Sequence, residues 1–208
     1  MLPLLLAAQF GLQTELLETR ARATIYGCNF SDAHAAHIDC VLVEPRGPKT
    51  KRAAVIFQHG GGQTMMQYIS EAAMLAESGI VSLIIDPPGR GRPNDMQKMN
   101  GAEIRDWMFE VASAGSRAID ILIARGDVDP VRIGFAGHSY GANAAAIISA
   151  RDRRPSVYVL TGGTNQISEH VRTNTSDFWQ TYRKRGDLTS DLKQIAEADA
   201  ANFLPTLK

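Results

Sequence analysis

Ser139 stands in Gly137-His138-Ser139-Tyr140-Gly141, a G-x-S-x-G pattern between an apolar, strand-like run and a small-residue, helix-like run. A serine at a sharp strand-to-helix turn has its hydroxyl lifted clear of the chain. Glycines two before and two after are needed because a Cβ at either place would collide within the turn. The chemistry this suits is nucleophilic attack on an acyl carbon. The Tyr140 amide falls at the start of the following helix, where unpaired N–H groups and the helix dipole favour a developing negative oxygen. A second glycine-rich stretch, His59-Gly60-Gly61-Gly62, follows an earlier apolar run. With no side chains to block the approach, Gly60 and Gly61 can present amides to the same oxygen. Ser139 is therefore the candidate nucleophile, and Gly60, Gly61 and Tyr140 are the candidate oxyanion donors. Either motif alone also fits an ordinary glycine-rich loop; their order on successive strands makes the pair specific.

A serine nucleophile needs a base, and the one histidine that follows Ser139 in the chain is His170. It would serve only if the segment carrying it folded back over Ser139 within hydrogen-bond reach. His138, next to the serine, points elsewhere in such a turn, and His59 is expected to pack behind the glycine loop. Glu169, Asp177, Asp187, Asp191 and Asp199 read as solvated helix charges, because none follows a recognisable strand.

The elements that must position these groups alternate from residue 53 onward, the pattern of an α/β protein with a mainly parallel sheet flanked by helices. Strands are expected at 53–58, 80–86, 131–136 and 156–160. Helical spacing at Met65, Ile69, Ala72, Ala73 and Ala76 stops at Gly79, and a long amphipathic helix runs from Ile104 to Leu122, closed by Gly126. Residues 23–26 and 38–43 suggest an antiparallel pair at the sheet edge. Residues 165–204 read as a polar helical cap or connecting segment with an aromatic cluster of Phe178, Trp179 and Tyr182.

The chain has 208 residues, enough for one domain, and its 22 Lys and Arg balance 22 Asp and Glu. No positive excess exists for a nucleic-acid backbone or an anionic membrane. At 44% hydrophobic and 21% charged residues, disorder and fibrous classes are excluded. Cys28 and Cys40 make no disulfide framework and no CxxC metal pair, which implies a reducing compartment and a cytoplasmic protein. The opening MLPLLLAAQFG is too short to span a bilayer and reads as packing surface, with a degraded signal sequence as the alternative.

The stretches FQHGGG, IIDPPGRGRP and RIGFAGHSYGAN resemble those of the α/β-hydrolase superfamily, in its dienelactone-hydrolase-like and acyl-esterase-like branch, over roughly residues 20–208. The resemblance implies a serine nucleophile at Ser139, an oxyanion hole from Gly60, Gly61 and Tyr140, an ester-type substrate such as a carboxyl ester or lactone, and no cofactor. Asp86 matches the aspartate that commonly organises the loop after its strand. The superfamily places its acid and histidine after the nucleophile, on loops beyond later strands. Here Thr161-Gly162-Gly163-Thr164-Asn165 follows the fourth strand with no carboxylate. The expectation is thus a single incomplete domain over 1–208 that lacks the last strands, leaves a sheet edge open to self-association, and is nearly inert. Losing the triad histidine costs about 10⁶ in turnover in subtilisin.

Competing signals are weaker. Asp32, His34, His37 and Asp39 have ligand chemistry, but a polar turn between strands explains them, and no metal is expected. Arg90 and Arg92 could hold an anionic group; a solvated loop explains them as well. Gly134, Gly137 and Gly141 have the wrong spacing for a dinucleotide fingerprint. The alternatives to the esterase are a non-catalytic binding module of the same fold and a peptidase-type serine hydrolase.

Overall fold

Alternating and continuous apolar runs build one seven-stranded sheet in the computed structural model, which describes residues 11–31, 37–48, 50–86 and 96–203. The strands are β1 (Gln13–Thr19), β2 (Ala23–Ser31), β3 (His37–Pro45), β4 (Arg52–Gln58), β5 (Val81–Asp86), β6 (Val128–His138) and β7 (Val157–Thr161). Their spatial order is β1-β2-β3-β5-β4-β6-β7. The β1, β2, β3 and β5 neighbours pair antiparallel, and β5, β4, β6 and β7 pair parallel. This is the mainly parallel α/β sheet expected, with the four strands from residue 53 onward found within a few residues of their expected bounds.

Helices α1 (Ile69–Glu77), α2 (Gly101–Ala124), α3 (Tyr140–Arg151), α4 (Ile167–Thr173), α5 (Asp177–Arg183) and α6 (Leu188–Ala196) complete the described chain, with 3₁₀ turns at Met65–Tyr68 and Ala200–Asn202. A sheet buried on both faces needs a cover on each. On one face α2 and α3 pack through Ile104, Val111, Ile119, Ile147 and Ile148 against Ile56, Leu83 and Phe135. On the other, Ala72 and Ala76 of α1 meet Val41, Val43, Phe57 and Ile84. The start of α2 is set by a capping box, in which the Asn100 side chain accepts from the Glu103 amide and the Glu103 carboxylate accepts from the Asn100 amide.

Two expectations are corrected, and one strand was not foreseen. The antiparallel pair β2–β3 lies inside the sheet rather than at its edge, because β1 adds outside β2 and β3 pairs onward with β5. Strand β1 gave no strand signal because all seven of its residues are exposed, so no face imposes alternation. Cys28 and Cys40 face each other across β2 and β3 and are joined in a disulfide. The antiparallel register places them together despite their being 12 residues apart, and it removes the ground on which a reducing compartment was inferred.

Residues 167–202 are largely helical, as expected. Asp191 of α6 anchors them to α2, accepting from the Gly101 amide at 2.7 Å and from the Tyr182 hydroxyl at 3.1 Å. Among the described residues no helix is long and apolar enough to cross a membrane, and no group of three or more His, Cys, Asp or Glu is placed to hold a metal. Asp32, His34, Arg90, Arg92 and the segment 1–10 lie outside the described residues. His37 and Asp39 make a pair at 3.0 Å.

Candidate active site

From β4 the chain passes to β5 on one side and then to β6 on the other, a reversal of strand order that places a crevice at the carboxyl ends of β4 and β6, the usual ligand position in such sheets. Both motifs sit there. Ser139 has φ +55° and ψ −121°, and among the described residues it is the one non-glycine residue with positive φ. That conformation costs about 1–3 kcal/mol and persists only where the surroundings impose it. They do: the Ser139 amide donates to the Thr161 carbonyl at the end of β7 at 2.9 Å, and its carbonyl accepts from the amides of Ala142 and Asn143 as α3 begins.

The glycines of the turn are required by backbone, not by flexible side chains. A Cβ on Gly137 would lie 2.5 Å from the Gly141 carbonyl oxygen, and one on Gly141 would lie 2.4 Å from that of Gln58. The second contact locks the turn onto the end of β4. It brings the glycine loop against the serine, so that a Cβ on Gly60 would lie 2.8 Å from Ser139 Cβ and 2.9 Å from His138 Cδ2.

In front of Ser139 is a cavity of about 260 Å³. Gly61, Tyr140, Asn143 and His170 line it together with apolar side chains that include Trp107, Met108, Ile167 and Trp179. The expected nucleophile, two of the expected oxyanion donors and the expected base thus share one cavity, whereas Gly60, the third expected donor, packs on Ser139 and gives its amide to the Gln63 side-chain oxygen at 3.3 Å. Sequence reasoning missed Trp107, Met108 and Asn143 as cavity residues. The first two follow the helical periodicity of α2 and carried no signal apart from core. Asn143 binds the loop after β7, accepting from the Thr164 amide at 2.9 Å.

His170 is not arranged as a triad base. Its Nε2 accepts from the Asn174 side-chain amide at 3.2 Å, and its ring stands edge-on to Trp179. Among the described residues no imidazole is hydrogen-bonded to the Ser139 hydroxyl. His59 lies behind the glycine loop as expected, fully buried, with Nε2 against an Asp86 carboxylate oxygen. That same Asp86 oxygen accepts from the Met65 amide at 2.9 Å, so Asp86 organises the 59–65 loop; the loop that follows Asp86 lies outside the described residues. Burial first, and then the Asp86 charge, push the Tyr140 phenol well above its ordinary range, so it remains a hydroxyl.

No protein-family model and no curated protein sequence matches the chain. Solved structures do. An acetyl xylan esterase from Paenibacillus sp. R4 is 18% identical with a TM-score of 0.81, over 99% of this chain and 74% of that one. Acetyl xylan esterase 1 from Thermoanaerobacterium sp. JW/SL YS485 is 14% identical with a TM-score of 0.75 and the same coverage. A cold-adapted esterase from an Arctic intertidal metagenomic library is 24% identical with a TM-score of 0.54, over 68% of this chain and 61% of that one. Likeness at such identities is one of fold, and the fold this chain shares with them is that of the α/β-hydrolases.

Proposed function

We propose that the protein is a serine hydrolase of ester-type substrates, carboxyl esters or lactones, acting through an acyl-enzyme on Ser139. The observation that carries this reading is the strained Ser139 between β6 and α3, with Gly60 packed on its Cβ and a cavity in front of it. In the first step Ser139 Oγ bonds to the carbonyl carbon, and the carbonyl oxygen becomes an oxyanion held by the Gly61 and Tyr140 amides. The serine proton is lost to solvent water and one returns to the departing oxygen as the C–O bond breaks, so that the alcohol leaves and the acyl group stays on the serine. Water releases the acid in a second cycle of the same kind. The mostly apolar cavity supports a small, uncharged acyl or alkoxy group.

The hydroxyl proton needs an acceptor, and His170 as placed is engaged with Asn174. Turnover by these residues is therefore expected to stay near the ~10³–10⁴ advantage over water that an oxyanion hole and binding supply without a base. The same observation favours a second reading, a binding module that keeps the pocket without the chemistry.

A fluorescent organophosphonate tests both. Labelling of the wild type that is lost in Ser139→Ala supports the hydrolase, and loss in His170→Ala as well would make His170 the base after rearrangement. A folded protein that takes up no label would leave the binding module.

A further inference from the structure

His59 is fully buried and Asp86 nearly so, and neither has a part in the steps above. The ring makes three polar contacts. Nε2 meets the Asp86 carboxylate, Nδ1 lies 2.8 Å from the Gly60 carbonyl oxygen, and Nδ1 lies 3.2 Å from the Tyr140 hydroxyl. Asp86 from β5 and Tyr140 from α3 are the titratable groups bonded to the ring among the described residues. A carbonyl oxygen can only accept, so the shorter contact requires a proton on Nδ1. The carboxylate requires one on Nε2, and the Tyr140 oxygen takes at most a second share of the Nδ1 proton.

The consequence falls on the next peptide. No described peptide bond is cis, and in a trans peptide the carbonyl and the following N–H point in opposite directions. A Gly60 carbonyl turned to the buried ring therefore turns the Gly61 N–H away from it. Gly60 is packed on Ser139, and Gly61 lines the cavity in front of that serine. We propose that His59 is a positioning residue: held by Asp86, it pins the Gly60 carbonyl through Nδ1 and so aims the Gly61 amide at the oxyanion beside Ser139. Asp86 grips the loop twice, through His59 at one end and the Met65 amide at the other. This inference rests on the serine-hydrolase reading.

The test is the rate at which a fluorescent organophosphonate labels Ser139 in the full chain, in its His59→Phe and His59→Asn variants, and in Ser139→Ala as background. His59→Phe removes the donor and should lower the labelling rate at saturating probe by about 10²–10³-fold, as loss of one oxyanion donor does, with the half-saturating probe concentration little changed. His59→Asn places an amide N–H near the Nδ1 position and should recover much of that loss. A folded His59→Phe labelled at the wild-type rate, or one altered only in half-saturation, overturns the proposal.

Because the variants could fail to fold, imidazole ¹⁵N NMR of the wild type is the second measurement. Both His59 nitrogens should be protonated, with slow exchange at Nδ1, and an unprotonated Nδ1 overturns the proposal. A folded wild type that takes up no more organophosphonate than Ser139→Ala removes the serine-hydrolase reading and the catalytic meaning of the bond with it. The NMR result alone still decides whether the ring pins Gly60.

Discussion

Gly60 and Gly61 are adjacent and chemically identical, yet a side chain at each meets different surroundings. At Gly60 it would strike Ser139 Cβ and His138 Cδ2, whereas at Gly61 the nearest atom is Tyr140 Cδ1 at 4.0 Å. Gly60→Ala should therefore push the loop from the nucleophile. A displacement approaching 1 Å at a reacting centre can cost about 10²-fold, so the rate of phosphonate labelling should fall by about that factor. Gly61→Ala should stay within a few-fold of wild type. Equal losses in both would show that the loop is held by something other than its contact with Ser139. The Ser139 pattern was legible because the turn's own backbone demands its glycines. The Asp86–His59–Gly60 connection was not, because a 27-residue separation in sequence says nothing of contact.

Among the elements, the disulfide and the α3–β7 connection give measurable consequences. The Cys28–Cys40 bond closes a loop of 12 residues between β2 and β3, and loops of that size contribute about 2–4 kcal/mol. Reductant should lower the urea midpoint correspondingly, and two alkylatable thiols in the unreduced protein would refute the bond. In the α3–β7 connection, burial by itself would raise the Asp152 carboxyl. Hydrogen bonds from the Arg154 side chain and amide outweigh it and hold the group below its ordinary value. A depressed carboxylate contributes stability above its unfolded value of about 3.9 and loses it as pH falls through the folded value. Asp152→Asn should accordingly flatten unfolding free energy against pH below about pH 4. An unchanged profile would mean that Arg154 does not stabilise the ionised form. The long helix α2 was readable from its caps and periodicity; β1 was not, since strand patterning exists only where one face is buried.

At the scale of the whole molecule the sheet ends on β7, which pairs with β6 alone among the described strands and exposes Val157, Val159 and Leu160. Apolar edge strands invite pairing with other chains, and lysine blunts them. Val159→Lys should reduce self-association in sedimentation at high concentration while changing stability by no more than about 0.5 kcal/mol, as exposed substitutions do. Unchanged association would place the contact elsewhere. By itself the sequence determined the alternation of strands and helices, the strand-to-helix turn at Ser139 and the glycine loop at Gly60 and Gly61. Each of these rests on local rules of burial period and backbone sterics that act within a few residues. Only the tertiary structure decided that β1 caps the sheet, that Cys28 meets Cys40, that Asp86 and His59 brace the glycine loop, and that His170 enters the cavity with its ring turned to Asn174. These depend on strand register and on how distant segments pack, which no local pattern encodes.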